Sequence, residues 1–155
     1  MNTLNPSAFL GLQGKTLSNE TVSFSELLTQ PLNVLHFQDS CGSGRTCRIV
    51  TKSIEDHLSE LTKYASVTII FADDAFDRET PPTSSIQRAG LSKNILGELG
   101  LLDEDGYVKR TTLIVSNEGD ILRELPVLDE GELELHITQS VLPELRKLSD
   151  GLKKM

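Results

Sequence analysis

A chain of 155 residues with 15 Lys+Arg against 23 Asp+Glu, net charge −8, fits one ordinary domain spanning 1–155 with a core of its own. The acidity disfavours DNA, RNA and anionic membrane surfaces as partners, since affinity for phosphates comes from clustered cations, and the absence of Trp removes a base-stacking platform. Two cysteines are too few for a secreted disulfide scaffold, no apolar run approaches the ~20 residues that span a bilayer, and no signal-like segment follows Met1, so a cytoplasmic protein with reduced thiols is expected.

Ala8–Leu12 and Glu20–Phe24 are short apolar stretches around Gln13-Gly14-Lys15 and read as a hairpin. Ser23-Phe24-Ser25-Glu26 has the form of a capping box, which predicts a short helix through Leu28, ended by Pro31. Asn33–Phe37 is a continuous apolar run of strand length, suited to a buried central strand. The next segment carries Val50, Ile54, His57, Leu58, Leu61 and Ala65 at helical spacing. Ser53-Ile54-Glu55-Asp56 is compatible with a late helix start, but Ile49 and Val50 already fit the stripe. A start near Cys47 with Thr46 as N-cap is the preferred reading.

Val67–Phe71 is a second buried-type strand, and Thr80–Ser85 a loop. Ser85–Ala89 and Asn94–Leu99 read as short helical pieces, the second stopped by Gly100. Asp103–Gly106 is a turn. Thr111–Val115 and Asp120–Leu125 flank Ser116–Gly119 as a hairpin. Glu132–Leu135 alternates like a strand, while Val141, Leu142, Leu145 and Leu148 share one face of a final helix. The order β-β-α-β-α-β-α-β-β-α indicates α/β architecture with a mixed sheet.

The chemistry gathers after the first central strand, in Gln38-Asp39-Ser40-Cys41-Gly42-Ser43-Gly44-Arg45-Thr46-Cys47. Strand, glycine-rich loop, thiol and helix is an order that sets a sulfur at a helix N-terminus. Backbone N–H groups and the macrodipole favour a thiolate there. Peroxide reduction by a thiol needs that thiolate, donors for the peroxide oxygens, and a second thiol to resolve the sulfenic acid. Cys47 meets the first need, Gly42, Ser43 and Gly44 offer N–H groups for the second, and Cys41 is near in sequence for the third.

With these residues the chain resembles the peroxiredoxin superfamily, most closely bacterial thiol peroxidases, along most of its length. Val34–Phe37 is similar to the strand before the peroxidatic loop, and Cys47–Leu61 to the peroxidatic cysteine and its helix. Gly100–Gly119, in which Arg110 precedes Thr111-Thr112-Leu113-Ile114-Val115, resembles the family segment where an arginine precedes a strand and turn. Pro126–Glu130 is similar to the acidic return before the last helix of thiol peroxidases. The resemblance implies a thioredoxin-like central mixed sheet flanked by helices, with Cys47 as peroxidatic cysteine and Arg110 polarising it. It further implies a hydroperoxide substrate, a thioredoxin-like reductant, a homodimer, and no metal or organic cofactor. Two departures stand out. Gly44 occupies the position of the family's threonine, so Ser43 or Thr46 would supply the hydroxyl, and no proline lies between Phe37 and Cys47. Thr80–Leu91 contains no cysteine, so the resolving role falls to Cys41.

Plainer readings stand beside these. The cysteines would be small buried hydrophobes and Arg110 a strand-end cation. His36, His57 and His136 are scattered, lack zinc-ligand spacing and read as packing or surface residues. Asp73-Asp74 and Asp103–Asp105 read as solvated turns. A thioredoxin-fold binding module without peroxidase activity is the main rival function. A P-loop-like nucleotide site at Gly42–Thr46 is the other, opposed by Asp39 in place of its first glycine and Arg45 in place of its lysine.

Overall fold

The computed structural model describes residues 11–15, 20–38, 45–72, 86–127 and 135–153, and of 45–48 the backbone. Gln13–Lys15 (β1) and Thr21–Ser23 (β2) form the expected hairpin, with the first strand beginning later than Ala8–Leu12 suggested. Phe24–Leu27 (α1) is a single turn. Ser23 stands at its N-cap but makes no side-chain capping bond; its hydroxyl instead lies 2.9 Å from that of Ser25. The capping box is therefore not formed, and the turn ends at Leu28, before Pro31 acts.

Asn33–Phe37 (β3) is buried at every position. It leads to Arg45–Asp56 (α2), so Thr46 is itself helical rather than the N-cap, and the start at Ser53 does not occur. His57, at φ −114° and ψ 13°, interrupts the helix before the short turn Leu58–Leu61 (α3). The apolar stripe survives the break: Val50, Ile54, Leu61 and Ala65 all reach the same core cluster.

Ser66–Ala72 (β4) is the second central strand. Gln87–Leu91 (β5) is a strand, where a helical piece over Ser85–Ala89 was expected. Its sequence Gln-Arg-Ala-Gly-Leu has little β propensity, and pairing with β4 overrides that weak preference. Lys93–Glu98 (α4) follows, capped by Ser92, whose Oγ accepts from the Ile95 N–H at 3.3 Å. Gly100 ends this segment at φ 75°. Thr111–Val115 (β6) and Ile121–Pro126 (β7) form the second hairpin, turning through Gly119 at φ 90°. Ile137–Val141 is a π-helical turn that runs into Leu142–Lys153 (α5). The strand-like Glu132–Glu134 lies outside the described residues.

The strands make one mixed sheet ordered β2-β1-β5-β4-β3-β6-β7. β3, β4 and β5 run parallel, and β6 is antiparallel to β3. β1 pairs antiparallel with β5, and a Cβ on Gly14 would stand 2.8 Å from the Gly90 carbonyl oxygen, so only glycine fits. Alternation along the central strands divides the core. Leu35, Phe37, Ile70, Leu113 and Val115 pack with α1 and α4 on one face. Val34, Val67, Ile69 and Ile114 pack with α2, α3 and α5 on the other. Each fully buried Leu, Ile or Phe contributes roughly 1.5–3 kcal/mol of transfer free energy. No helix among the described residues is long and apolar enough to cross a membrane.

Candidate active site

β3 carries two polar side chains, Asn33 at its start and His36 at its fourth position. In the antiparallel register His36 stands opposite Thr112 of β6, so the two side chains share the face covered by α2. A polar ring that is 0 % exposed must find a partner. His36 Nδ1 lies 2.8 Å from Thr112 Oγ1. His136, the residue before the π-helical turn, brings its Nε2 to 2.8 Å from the same oxygen. The two imidazole centres are 6.2 Å apart.

Burial sets the charge of this cluster. Desolvation, followed by the neighbouring His136 and the cation of Arg110, pushes His36 down to about 3, with the Gln38 side chain acting the other way. Burial alone pushes His136 down to about 4. Both rings are therefore neutral near pH 7, each with one N–H. The Thr112 hydroxyl, with a single proton, donates to one ring and accepts from the other.

Gln38 extends β3 toward the helix. Its N–H donates to the Ile70 carbonyl at 3.0 Å, and its side chain is fully buried. Its Nε2 donates to Thr51 Oγ1 at 3.3 Å. Thr51 sits in α2 one turn after Cys47, which is the third residue of that helix.

Arg110 immediately precedes β6. The rung Phe37–Thr111 is the last in the register, so Arg110 stands just past it, at the end of β3 from which Gln38 continues. Parity along β6 assigns it to the same face as Thr112, and its charge is felt by His36. Its carbonyl accepts from the Val127 N–H at 3.0 Å. A cavity of about 470 Å³ opens beside it, lined by Lys109, Arg110, Thr111, Glu124 and Pro126 among others. The buried Thr111 Oγ1 has no hydrogen-bond partner among the described residues.

Of the residues singled out by sequence, Cys47 is the third residue of α2, one turn before Thr51, and Arg110 immediately precedes β6. Cys41 and Ser43 lie outside the described residues. His36 and His136 are packing residues, as expected, both buried and joined through one hydroxyl. His57 fits the plainer reading too, with its Nδ1 2.8 Å from the Ser53 carbonyl. Gln38, Thr51 and Thr112 escaped sequence reasoning. The one available signal was His36 itself, a titratable ring among Val34, Leu35 and Phe37.

No protein-family model matches the chain, and neither does any curated protein sequence. Solved structures do resemble it. Peroxiredoxin Q of Xanthomonas campestris superposes with TM-score 0.71 at 14 % identity, over 96 % of this chain and 98 % of that one. Peroxidoxin BcpB of Mycobacterium tuberculosis gives 0.66 at 17 % identity, over 88 % and 92 %. The bacterioferritin comigratory protein of the same Xanthomonas species, described for alkyl peroxide reduction, gives 0.70 at 13 % identity, over 95 % and 96 %. A mixed sheet of this order with helices on both faces, matched over nearly the whole of such chains, is the thioredoxin-like fold in its peroxiredoxin form.

Proposed function

We propose that this protein is a thiol-dependent peroxide reductase with Cys47 as the attacking thiol. What supports the reading is that Cys47 lies in the first turn of α2, that Thr51 one turn on is bonded by Gln38 at the end of β3, and that Arg110 directly precedes the Phe37–Thr111 rung at that same end. A helix N-terminus and a guanidinium both favour a thiolate and the negative charge that develops on the leaving oxygen. The alkyl peroxide reduction described for a structural neighbour is in keeping with this chemistry.

In the proposed cycle the Cys47 thiolate attacks one peroxide oxygen and the O–O bond breaks. The other oxygen leaves as alkoxide or hydroxide and takes up a proton, and Cys47 becomes a sulfenic acid. The Cys41 thiol then attacks that sulfur, water leaves, and a disulfide forms. An external dithiol such as thioredoxin returns both thiols through a mixed disulfide. Ser43, with loop N–H groups, donates to the peroxide. No metal or organic cofactor enters these steps. The setting is a single cytoplasmic domain working as a homodimer.

The test is peroxide consumption coupled to a thioredoxin system. Wild type turns over, Cys47→Ser does not, and Cys41→Ser slows at the reductant step. The presence of Gly44 in place of the family's threonine, with no proline ahead of Cys47, favours a second reading, a binding module of this fold without turnover. Thiol-specific consumption no faster than free cysteine would establish that second reading.

A further inference from the structure

The cavity at the end of β6 and β7 has no part in the proposed cycle beyond the Arg110 on its rim. Its volume of about 470 Å³ falls within the roughly 300–1,000 Å³ of small-molecule sites. One wall is a hairpin over residues 101–109. In it the Lys109 N–H donates to the Leu101 carbonyl and the Asp103 N–H to the Tyr107 carbonyl, each at 2.8 Å. The other wall is the end of β7, tied to the Arg110 carbonyl by the Val127 N–H at 3.0 Å. Backbone bonds thus fix both walls, and Leu101, Val108 and Pro126 give the space an apolar side.

The charges around this cavity differ from those elsewhere on the surface. Lys52, Lys63, Arg123, Arg146 and Lys147 each stand 2.7–3.7 Å from a carboxylate. Lys109 and Arg110 line the cavity side by side, and among the described residues neither has a carboxylate within 4.0 Å. Glu124, on the opposite wall, has no cation within that distance either. Asp103 spends its Oδ1 on its own turn, accepting from the N–H groups of Asp105 and Tyr107 at 2.9 and 3.0 Å. The lining therefore holds both signs in balance, with the unpaired cations and the unpaired carboxylate kept apart. A simple anion gains from Lys109 and Arg110 but is opposed by Glu124 and Asp103. A molecule that carries both signs gains at each pole.

We propose that this cavity binds a small zwitterion with an apolar body, of the class of a free α-amino acid with an aliphatic side chain. The carboxylate goes to Lys109 and Arg110, where a guanidinium fork matches its two oxygens. The ammonium goes to Glu124, and the aliphatic part lies against Leu101, Val108 and Pro126. Each unpaired charge of the lining then gains a partner without having to approach the other. A hydroxyl is also left over in the lining: Thr111 is 3 % exposed and its Oγ1 has no partner among the described residues. Arg110 is shared with the function proposed above, but binding of this ligand requires neither cysteine.

The test titrates the whole protein with three probes built on one carbon skeleton. They are leucine, isocaproate, which lacks the ammonium, and isoamylamine, which lacks the carboxylate. Backbone amide shifts report both affinity and place. Leucine should saturate, with shifts centred on residues 100–103, 108–111 and 124–127. It should bind about tenfold more tightly than either analogue, the scale of one charge-assisted contact. Lys109→Met and Glu124→Gln alter exposed side chains, so the fold survives both, and each should weaken leucine about tenfold. In Glu124→Gln leucine should also lose its advantage over isocaproate. Absence of saturable shifts with leucine, or shifts centred elsewhere, overturns the site. Isocaproate binding as tightly as leucine to the unaltered protein reduces it to an anion site and overturns the proposal, and so does unchanged leucine affinity in either variant. No arm reads peroxide turnover, so the failure of this proposal and the failure of the peroxidase reading are told apart.

Discussion

The two faces of the β3–β6 strand pair are built from the same backbone and hold opposite contents. Toward α1 and α4, Leu35, Phe37, Leu113 and Val115 close into hydrocarbon. Toward α2 and α5, Val34 and Ile114 are interrupted by His36 and Thr112, bonded to one another and to His136. An apolar face would be simpler to pack on both sides. The His36–Thr112 pair lies mid-strand on the side that meets the helix bearing Cys47, while the opposite face carries its buried polar side chains, Asn33 and Thr111, only at the strand ends.

The largest break in this comparison comes from the face toward α2. Arg110→Met should lower the second-order rate with peroxide by roughly 10²-fold, the scale of removing one preorganised charge-stabilising donor. Lys109→Met, one residue away and of opposite parity, should leave it unchanged. Stopped-flow measurement of both variants gives the contrast directly, and equal losses would dissolve the assignment of faces.

On the face toward α1 and α4 the effect is on stability. Leu113→Ala removes a buried side chain and should cost about 2–5 kcal/mol in denaturant unfolding. The pH profile of Cys47 alkylation should not move. A displaced profile would show that the hydrocarbon face also sets thiol reactivity.

A smaller effect is set by pH. Both histidines are depressed from 6.5, to about 3 and about 4. Their contribution is fully present above pH 6.5. As pH falls below that value the unfolded chain takes up protons that the folded chain refuses, and stability declines until the folded rings titrate as well. Urea midpoints between pH 7 and 4 should fall, and a His36→Gln, His136→Gln double variant should show a shallower slope. An identical slope would mean that the rings are charged in the folded protein.

The smallest effect is expected at the surface. Arg146 Nη2 lies 3.3 Å from Glu60 Oε1, with both side chains well solvated. Arg146→Gln should leave the melting temperature unchanged, since exposed pairs gain little over their hydration. A clear loss would show that α3 and α5 are held together by charge as well as by Leu61, Val141 and Leu145.

Legibility in the sequence follows the same division. β3, β4 and β6 were readable because strands buried on both faces are continuous apolar runs, and the turns at Gly100, Gly106 and Gly119 because positive φ selects glycine. β5 was not, because Ala89 and Gly90 carry no strand signal and only pairing with β4 and the close approach of Gly14 explain them. Cys47 was singled out by spacing and Arg110 by resemblance, and both carry the proposed function. The His36–Thr112–His136 cluster was not, since its bonds at Thr112 connect residues 76 and 24 positions apart, and no local pattern records such a contact.

The most direct measurement is the mass and site of oxidation after one equivalent of hydroperoxide is added to the Cys41→Ser protein. With Cys41 absent, the function proposed here predicts one oxygen on Cys47 as sulfenic acid, trapped by a dimedone-type reagent, passing to sulfinic acid with excess peroxide, while the wild type loses two hydrogens and gains no oxygen. Cys47 recovered as an unmodified thiol, or oxygen found on Cys41 in the wild type, would contradict it.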